Sequence, residues 1–97
     1  MRASRLSDSE IATTLSSLNG WSLTTGKPQI EKTFVRSNFV DAVGFIQKIA
    51  EIAERHDHHP DVLLHGYKNV RVMLTTHDSG GITQNDFVVA KEIDTIV

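Results

Sequence analysis

Four of the five histidines in this 97-residue chain fall within ten residues, His56, His58, His59 and His65, and the fifth is His77. Imidazole titrates near neutral pH, so one side chain can take a proton and give it back, or hold a metal. The spacing argues against the metal. Two helical ligands sit best at i and i+4, whereas His58 and His59 are neighbours that point apart, and no hydrolytic carboxylate motif accompanies them. Proton transfer fits better. Removal of water from a small molecule needs one group to take a proton from nitrogen or carbon and another to protonate the departing hydroxyl. Two imidazoles facing one substrate could do both, with the turn at His58 and His59 and the strand end at His77 converging on one pocket. Glu54 and Asp57 lie in the same run. Asp86 stands three residues after Thr83, a spacing that helix capping explains, with support of the histidines from behind as the alternative.

The elements that must position these groups follow from the apolar periodicity. Ser7-Asp8-Ser9-Glu10 has the spacing of a capping box, and Ile11, Leu15 and Leu18 predict a short helix from about Asp8 to Ser17 that Asn19-Gly20 stops. The runs Trp21 to Thr24 and Gln29 to Arg36, with a turn at Gly26 to Pro28, read as a β-hairpin, and Trp21 as core. From Ser37-Asn38 onward, Phe39, Val43, Ile46, Ile49, Ala50 and Ala53 form the apolar stripe of the longest helix, ending near Arg55 to Asp57. Pro60 cannot continue it, and His59 before the proline is pushed out of helical geometry. His56, in the last turn, suits the negative end of the helix dipole.

Val62 to Tyr67 and Val70 to Thr76 predict a second hairpin with Lys68 and Asn69 as its turn, Tyr67 belonging to the strand. Asp78 to Gly81 reads as a loop, and Thr83 to Asp86 caps a last helix carrying Phe87, Ala90, Ile93 and Val97. The order α-β-β-α-β-β-α predicts an α+β fold, a four-stranded antiparallel sheet with three helices on one face. Arg71, Met73 and Thr75 then fall on the uncovered face, and the free sheet edges favour pairing with a second copy.

Composition narrows the function classes. One domain over residues 1–97 is expected, small enough that oligomerisation would help its stability. A formal net charge of -2 gives no basic footprint for nucleic acid or an anionic membrane. There is no cysteine, so disulfides, thiolate metal sites and a cysteine nucleophile are out. No apolar run is long enough for a membrane span, and Met1 to Arg5 has no apolar segment behind it as a secretory signal would. A cytoplasmic location is the expectation.

Glu54, His58-His59-Pro60, then Tyr67 after six intervening residues, His77 after nine more and Asp86 after eight more, together resemble the signature of the pterin-4a-carbinolamine dehydratases. The stretch Thr75 to Thr83 and the placing of Trp21 after the first helix resemble that family too, so the likeness covers nearly the whole chain. The resemblance implies dehydration of 4a-hydroxytetrahydropterin, the product of aromatic amino-acid hydroxylases, to quinonoid dihydropterin, with no metal and no organic cofactor. It implies His58 and His77 as the proton-transfer pair at the pterin N5 proton and the 4a-hydroxyl, without deciding which is acid. It implies His59 as the group that orients and polarises the substrate, and Glu54 and Asp57 as substrate-binding groups shaping the electrostatics. The partner is then a small pterin, and the assembly a homodimer or homotetramer. Val62 stands where some animal members carry a tryptophan beside the pterin, and His65 has no family role. The alternative is a non-catalytic dimerisation cofactor or assembly module of the same fold. Some animal relatives assist a homeodomain transcription factor, and others resemble assembly chaperones that tend to lose the histidines kept here.

Overall fold

The computed structural model describes residues 4–97; Met1, Arg2 and Ala3, part of the segment considered as a leader, lie outside them. The elements run α1 (Asp8–Ser16), β1 (Ser22–Leu23), β2 (Ile30–Val35), α2 (Phe39–His56), β3 (Asp61–His65), β4 (Asn69–Leu74) and α3 (Gln84–Thr95), with one 3-10 turn at His77–Ser79. All four strands join one antiparallel sheet in the spatial order β1-β2-β4-β3, as the α+β reading requires. Each hairpin keeps its own pair, and α2 carries the chain across so that β4 lies beside β2.

Each helix begins as its sequence dictates. Ser7 caps α1 and Thr83 caps α3, each in a reciprocal capping box, with Glu10 and Asp86 as the returning carboxylates. Asn38 caps α2 by accepting the Asp41 N–H. Alternation divides the sheet. Ile30, Phe34, Val70, Val72 and Leu74 point into the core with Ile11 of α1, Phe45, Ile49 and Ile52 of α2, and Phe87, Ala90 and Ile93 of α3. Helices thus cover one face. On the other, Thr33, Val35, Leu63 and His65 are exposed, and Arg71 donates to Glu31 across two strands.

Local differences have identifiable causes. β1 is only two residues long. The second hairpin turns at Gly66, Tyr67 and Lys68, because His65 pairs with Asn69 in register. Tyr67 is therefore a turn residue with φ 57, following Gly66 at φ 56, and it is exposed rather than packed in a strand. Two successive left-handed residues match the right-handed twist of a tight hairpin, which is the demand that moved the turn. The segment after β4 is a 3-10 turn closed by a bridge between Thr76 and Gly81, so His77 sits in a pinned loop.

Candidate active site

The end of α2 sets up the first two histidines. Asp57 takes the left-handed cap position, φ 49 and ψ 44, and the His58 N–H turns back to the Ala53 carbonyl at 3.0 Å. This is a Schellman ending, filled here by an aspartate, a residue that tolerates the left-handed region better than most. His58, His59 and Pro60 then lead directly into β3.

His58 is nearly enclosed, its side chain 12% exposed, and its Nε2 lies 2.6 Å from Oδ1 of Asp86, which is fully buried. The other carboxylate oxygen of Asp86 accepts from the Thr83 N–H and from the Thr76 hydroxyl, both at 2.9 Å. Thr76 Oγ1 and Thr83 Oγ1 are 2.8 Å apart, and Thr83 Oγ1 accepts the Asn85 N–H. Following the protons through this network fixes their directions. Thr76 gives its hydroxyl proton to Asp86, so Thr83 must give its own to Thr76. The Asp86 carboxylate then has one oxygen left, and His58 fills it by donating Nε2–H. In the neutral imidazole Nδ1 is left as a free acceptor, because the second ring nitrogen's role is set by the bond the first one makes. A buried carboxylate is costly unless its oxygens are occupied, and three donors occupy these.

The same network reaches the third histidine. Thr76 immediately precedes His77, and the Thr76–Gly81 bridge holds the loop, with Thr76 N–H to Gly81 O at 3.0 Å and the Ser79 N–H returning to Thr76 O at 3.1 Å. Asp86 therefore ties the end of α2 to the loop after β4. His77 is exposed and, among the described residues, its imidazole has no hydrogen-bond partner. It lines a cavity of about 380 Å³ together with Asp61, Thr75, Gln29 and Lys27.

His59 is placed differently. Its Nε2 lies 2.5 Å from Oε2 of Glu54, on an exposed surface where the histidine side chain is 54% accessible. Both residues line a second cleft of about 290 Å³ between α2 and β3, walled by Ile46, Ala50 and Val62. The cavity of His77 and the cleft of His59 are separate, and His58 lines neither. Pro60 and Val62 belong to the cleft of His59 and Asp61 to the cavity of His77, so the start of β3 separates them. Asp57 is exposed and its carboxylate bonds none of the histidines. His56 bonds Glu92 of α3 at 3.0 Å, and Arg55 pairs with the same carboxylate. These contacts hold Glu92 below the ordinary glutamate range, the His56 hydrogen bond first, and Arg55 after it. They latch α2 to α3 on the outside. His65 lies on the uncovered sheet face. Among the described residues, no group of three histidine, aspartate or glutamate side chains comes together as a metal site.

Three features escaped the sequence. Asp86 serves a cap and a histidine at once; Thr76 joins that network; Asp61 faces His77's cavity. The only signal for the first was that a capping carboxylate has a second oxygen, free to serve elsewhere. Nothing in local spacing marked Thr76 or Asp61.

Comparison with known proteins bears on the chain as a whole. The sequence model of a family described as pterin 4 alpha carbinolamine dehydratase matches residues 4–96. A Rhodopseudomonas palustris protein named "Putative pterin-4-alpha-carbinolamine dehydratase" is 45% identical over 92 residues, 95% of this chain and 90% of its own length. The crystal structure of a transcriptional coactivator/pterin dehydratase from Brucella melitensis superposes with a TM-score of 0.89 at 36% identity, covering 95% of this chain and 97% of that one. A pterin dehydratase-like protein identified as a RuBisCO assembly factor in the alpha-carboxysome has a TM-score of 0.65 at 19% identity, over 79% of this chain and 88% of its own. At that identity the likeness is one of fold.

Proposed function

Because this chain belongs to the pterin 4 alpha carbinolamine dehydratase family, we propose that it removes water from a 4a-hydroxytetrahydropterin and releases the quinonoid dihydropterin. The observation that carries this reading is the His58–Asp86–Thr76 connection, which fixes one imidazole's tautomer and ends at Thr76, the residue before the unpartnered His77. The pterin ring occupies the cavity of His77, whose size suits a small bicyclic ligand. One imidazole takes the proton from N5 while the other protonates the 4a-hydroxyl. The C4a–O bond breaks, the N5 lone pair closes the C4a=N5 double bond, and water leaves. The two imidazoles end with exchanged protonation and reset by passing a proton back, so no oxidant or co-reactant is consumed.

His59, held by Glu54, orients and polarises the substrate from the adjoining cleft, and Asp57 adds negative charge at the rim. Asp86 touches no substrate; it is a positioning residue for His58. In this reading the protein works in the cytoplasm without metal or organic cofactor, as a homodimer or homotetramer, on a small pterin and not on nucleic acid. Dehydration of chemically generated 4a-hydroxytetrahydropterin tests it. Wild type accelerates the reaction, and His58→Ala and His77→Ala lose the acceleration while circular dichroism and thermal unfolding stay as in wild type. Equal acceleration by all three proteins would overturn it. So would loss of activity with a chelator and its return with zinc. The second reading, a non-catalytic dimerisation or assembly module, is favoured by the uncovered sheet face with Val35 and Leu63 exposed. It predicts no acceleration by wild type and a stable complex with another protein.

A further inference from the structure

A larger cavity adjoins the one at His77. It has a volume of about 530 Å³ and lies between the segment before α1 and the loop after β4, with Arg5 and Lys27 in its wall. It shares Lys27, Pro28, Gly80 and Gly81 with the cavity of His77, so the two adjoin along one loop. Leu6 N–H bonds Ile82 O at 2.8 Å and pins the segment that carries Arg5. The Arg5 side chain lies over Gly81, where a Cβ would stand 2.7 Å from Arg5 Cδ. Its path is therefore set by packing. Neither Arg5 nor Lys27 has an ion pair among the described residues. Glu31, whose carboxylate feels Lys27, is already bound by Arg71. Asp8 is the one carboxylate in the wall, against two cations.

We propose that this cavity receives an anionic substituent, a phosphate ester or carboxylate, carried on the pterin ring at the carbon next to N5. The inference rests on the dehydratase reading and extends it to the class of substrate. The geometry of the ring supplies the reason. N5 is bonded both to the carbon that loses hydroxyl and to the carbon that bears the side chain. A ring placed with N5 at His77 must send that side chain out close to His77, and the way past Gly80 and Gly81 leads to Lys27 and Arg5. Two unpaired cations at the end of that path favour a negative group over a neutral one, more so at low salt.

The test compares 4a-hydroxytetrahydropterins bearing either a neutral dihydroxypropyl chain or the same chain ending in a phosphate monoester. At low salt the KM of the phosphorylated substrate is expected to be lower by about tenfold, the size two partly exposed charge contacts give together. Arg5→Gln reduces that ratio to within about threefold of one while the turnover of the neutral substrate holds. Gly81→Ala, which removes no charge but displaces Arg5, lowers the ratio as well. Equal KM values in wild type, or a ratio that survives Arg5→Gln, would overturn the subsite. Equilibrium binding of the corresponding dihydropterins, followed by pterin fluorescence, separates this inference from the reading beneath it. Tighter binding of the phosphorylated ring with no turnover of either substrate keeps the subsite and loses the dehydratase. Equal binding with normal turnover loses the subsite alone.

Discussion

Asp86→Asn separates the two tasks of one side chain. Asparagine keeps the shape of aspartate and one acceptor oxygen. The side of Asp86 that faces Thr83 and Thr76 receives two donors, so the amide oxygen settles there and the capping box of α3 survives. The amide NH2 then faces His58 Nε2 across the 2.6 Å contact, donor against donor. His58 relieves this only by moving its proton to Nδ1, which turns that nitrogen from acceptor to donor. The loss of one buried charge-assisted hydrogen bond costs about 1.5–3 kcal/mol of stability. The loss of a correctly poised acid-base group costs at least about 10²-fold in kcat, equivalent to about 2.7 kcal/mol in the barrier. Dehydration of the chemically generated substrate measures the second, and urea unfolding the first. Nitrogen-15 NMR of the neutral His58 ring reads the cause, with the proton on Nε2 in wild type and on Nδ1 in the variant. A folded Asp86→Asn protein that dehydrates within threefold of wild type, or one whose His58 tautomer is unchanged, would refute the reasoning.

Other expectations follow from single contacts. Leu74, fully buried and paired with Ile30 across the central strands, should lose about 2–5 kcal/mol on Leu74→Ala, read by urea unfolding. Glu54→Gln removes the partner of an exposed histidine, so the melting temperature should hardly move, an exposed pair contributing about 0–1 kcal/mol, while kcat/KM falls severalfold. Asp41 is held down to about 2 from an ordinary 3.8, by the Ser37 N–H first, with the Arg36 and Ser37 side chains adding to it. A carboxyl lowered on folding stabilises the folded state above its unfolded pKa, and that contribution fades as the pH falls from near 4 to near 2. The stability gap between wild type and Asp41→Asn should therefore narrow across that window in acid denaturation, and a constant gap would contradict it.

The periodic parts of the fold were legible because one physical cause dominated each. Both capping boxes satisfy helix ends locally, and Pro60 forbids continuation. The long helix was legible as an element but not by its stripe: Phe39, Val43 and Ala50 are exposed, and the face turned to the core is Ala42, Phe45, Ile49, Ile52 and Ala53. Alternation in Val70 to Leu74 told which sheet face is covered. The hairpin turn was less legible, because a left-handed tyrosine is chosen by the strand register and not by its own preference. The candidate site was read as a set of residue types and not as an arrangement. Asp86 read as either a cap for the last helix or a support for the histidines; it is both, one oxygen serving the cap and the other His58, 28 residues away. Adjacency of His58 and His59 hid that the start of β3 divides the two cavities, sending His59 toward Glu54 and leaving His77 on the side of Asp61. Contacts of that kind depend on how elements meet, which no local spacing encodes.

The central claim is that His58 and His77 act on one bound pterin. A crystal structure of the protein with a non-reacting dihydropterin tests it most directly. The account predicts the ring in the cavity beside Asp61, with N5 and the position of the 4a-oxygen within hydrogen-bond reach, about 2.6–3.2 Å or through one water, of His58 Nδ1 and the His77 imidazole. A ring seated wholly in the cleft between α2 and β3, touching His59 and Glu54 with His77 out of reach, would contradict it.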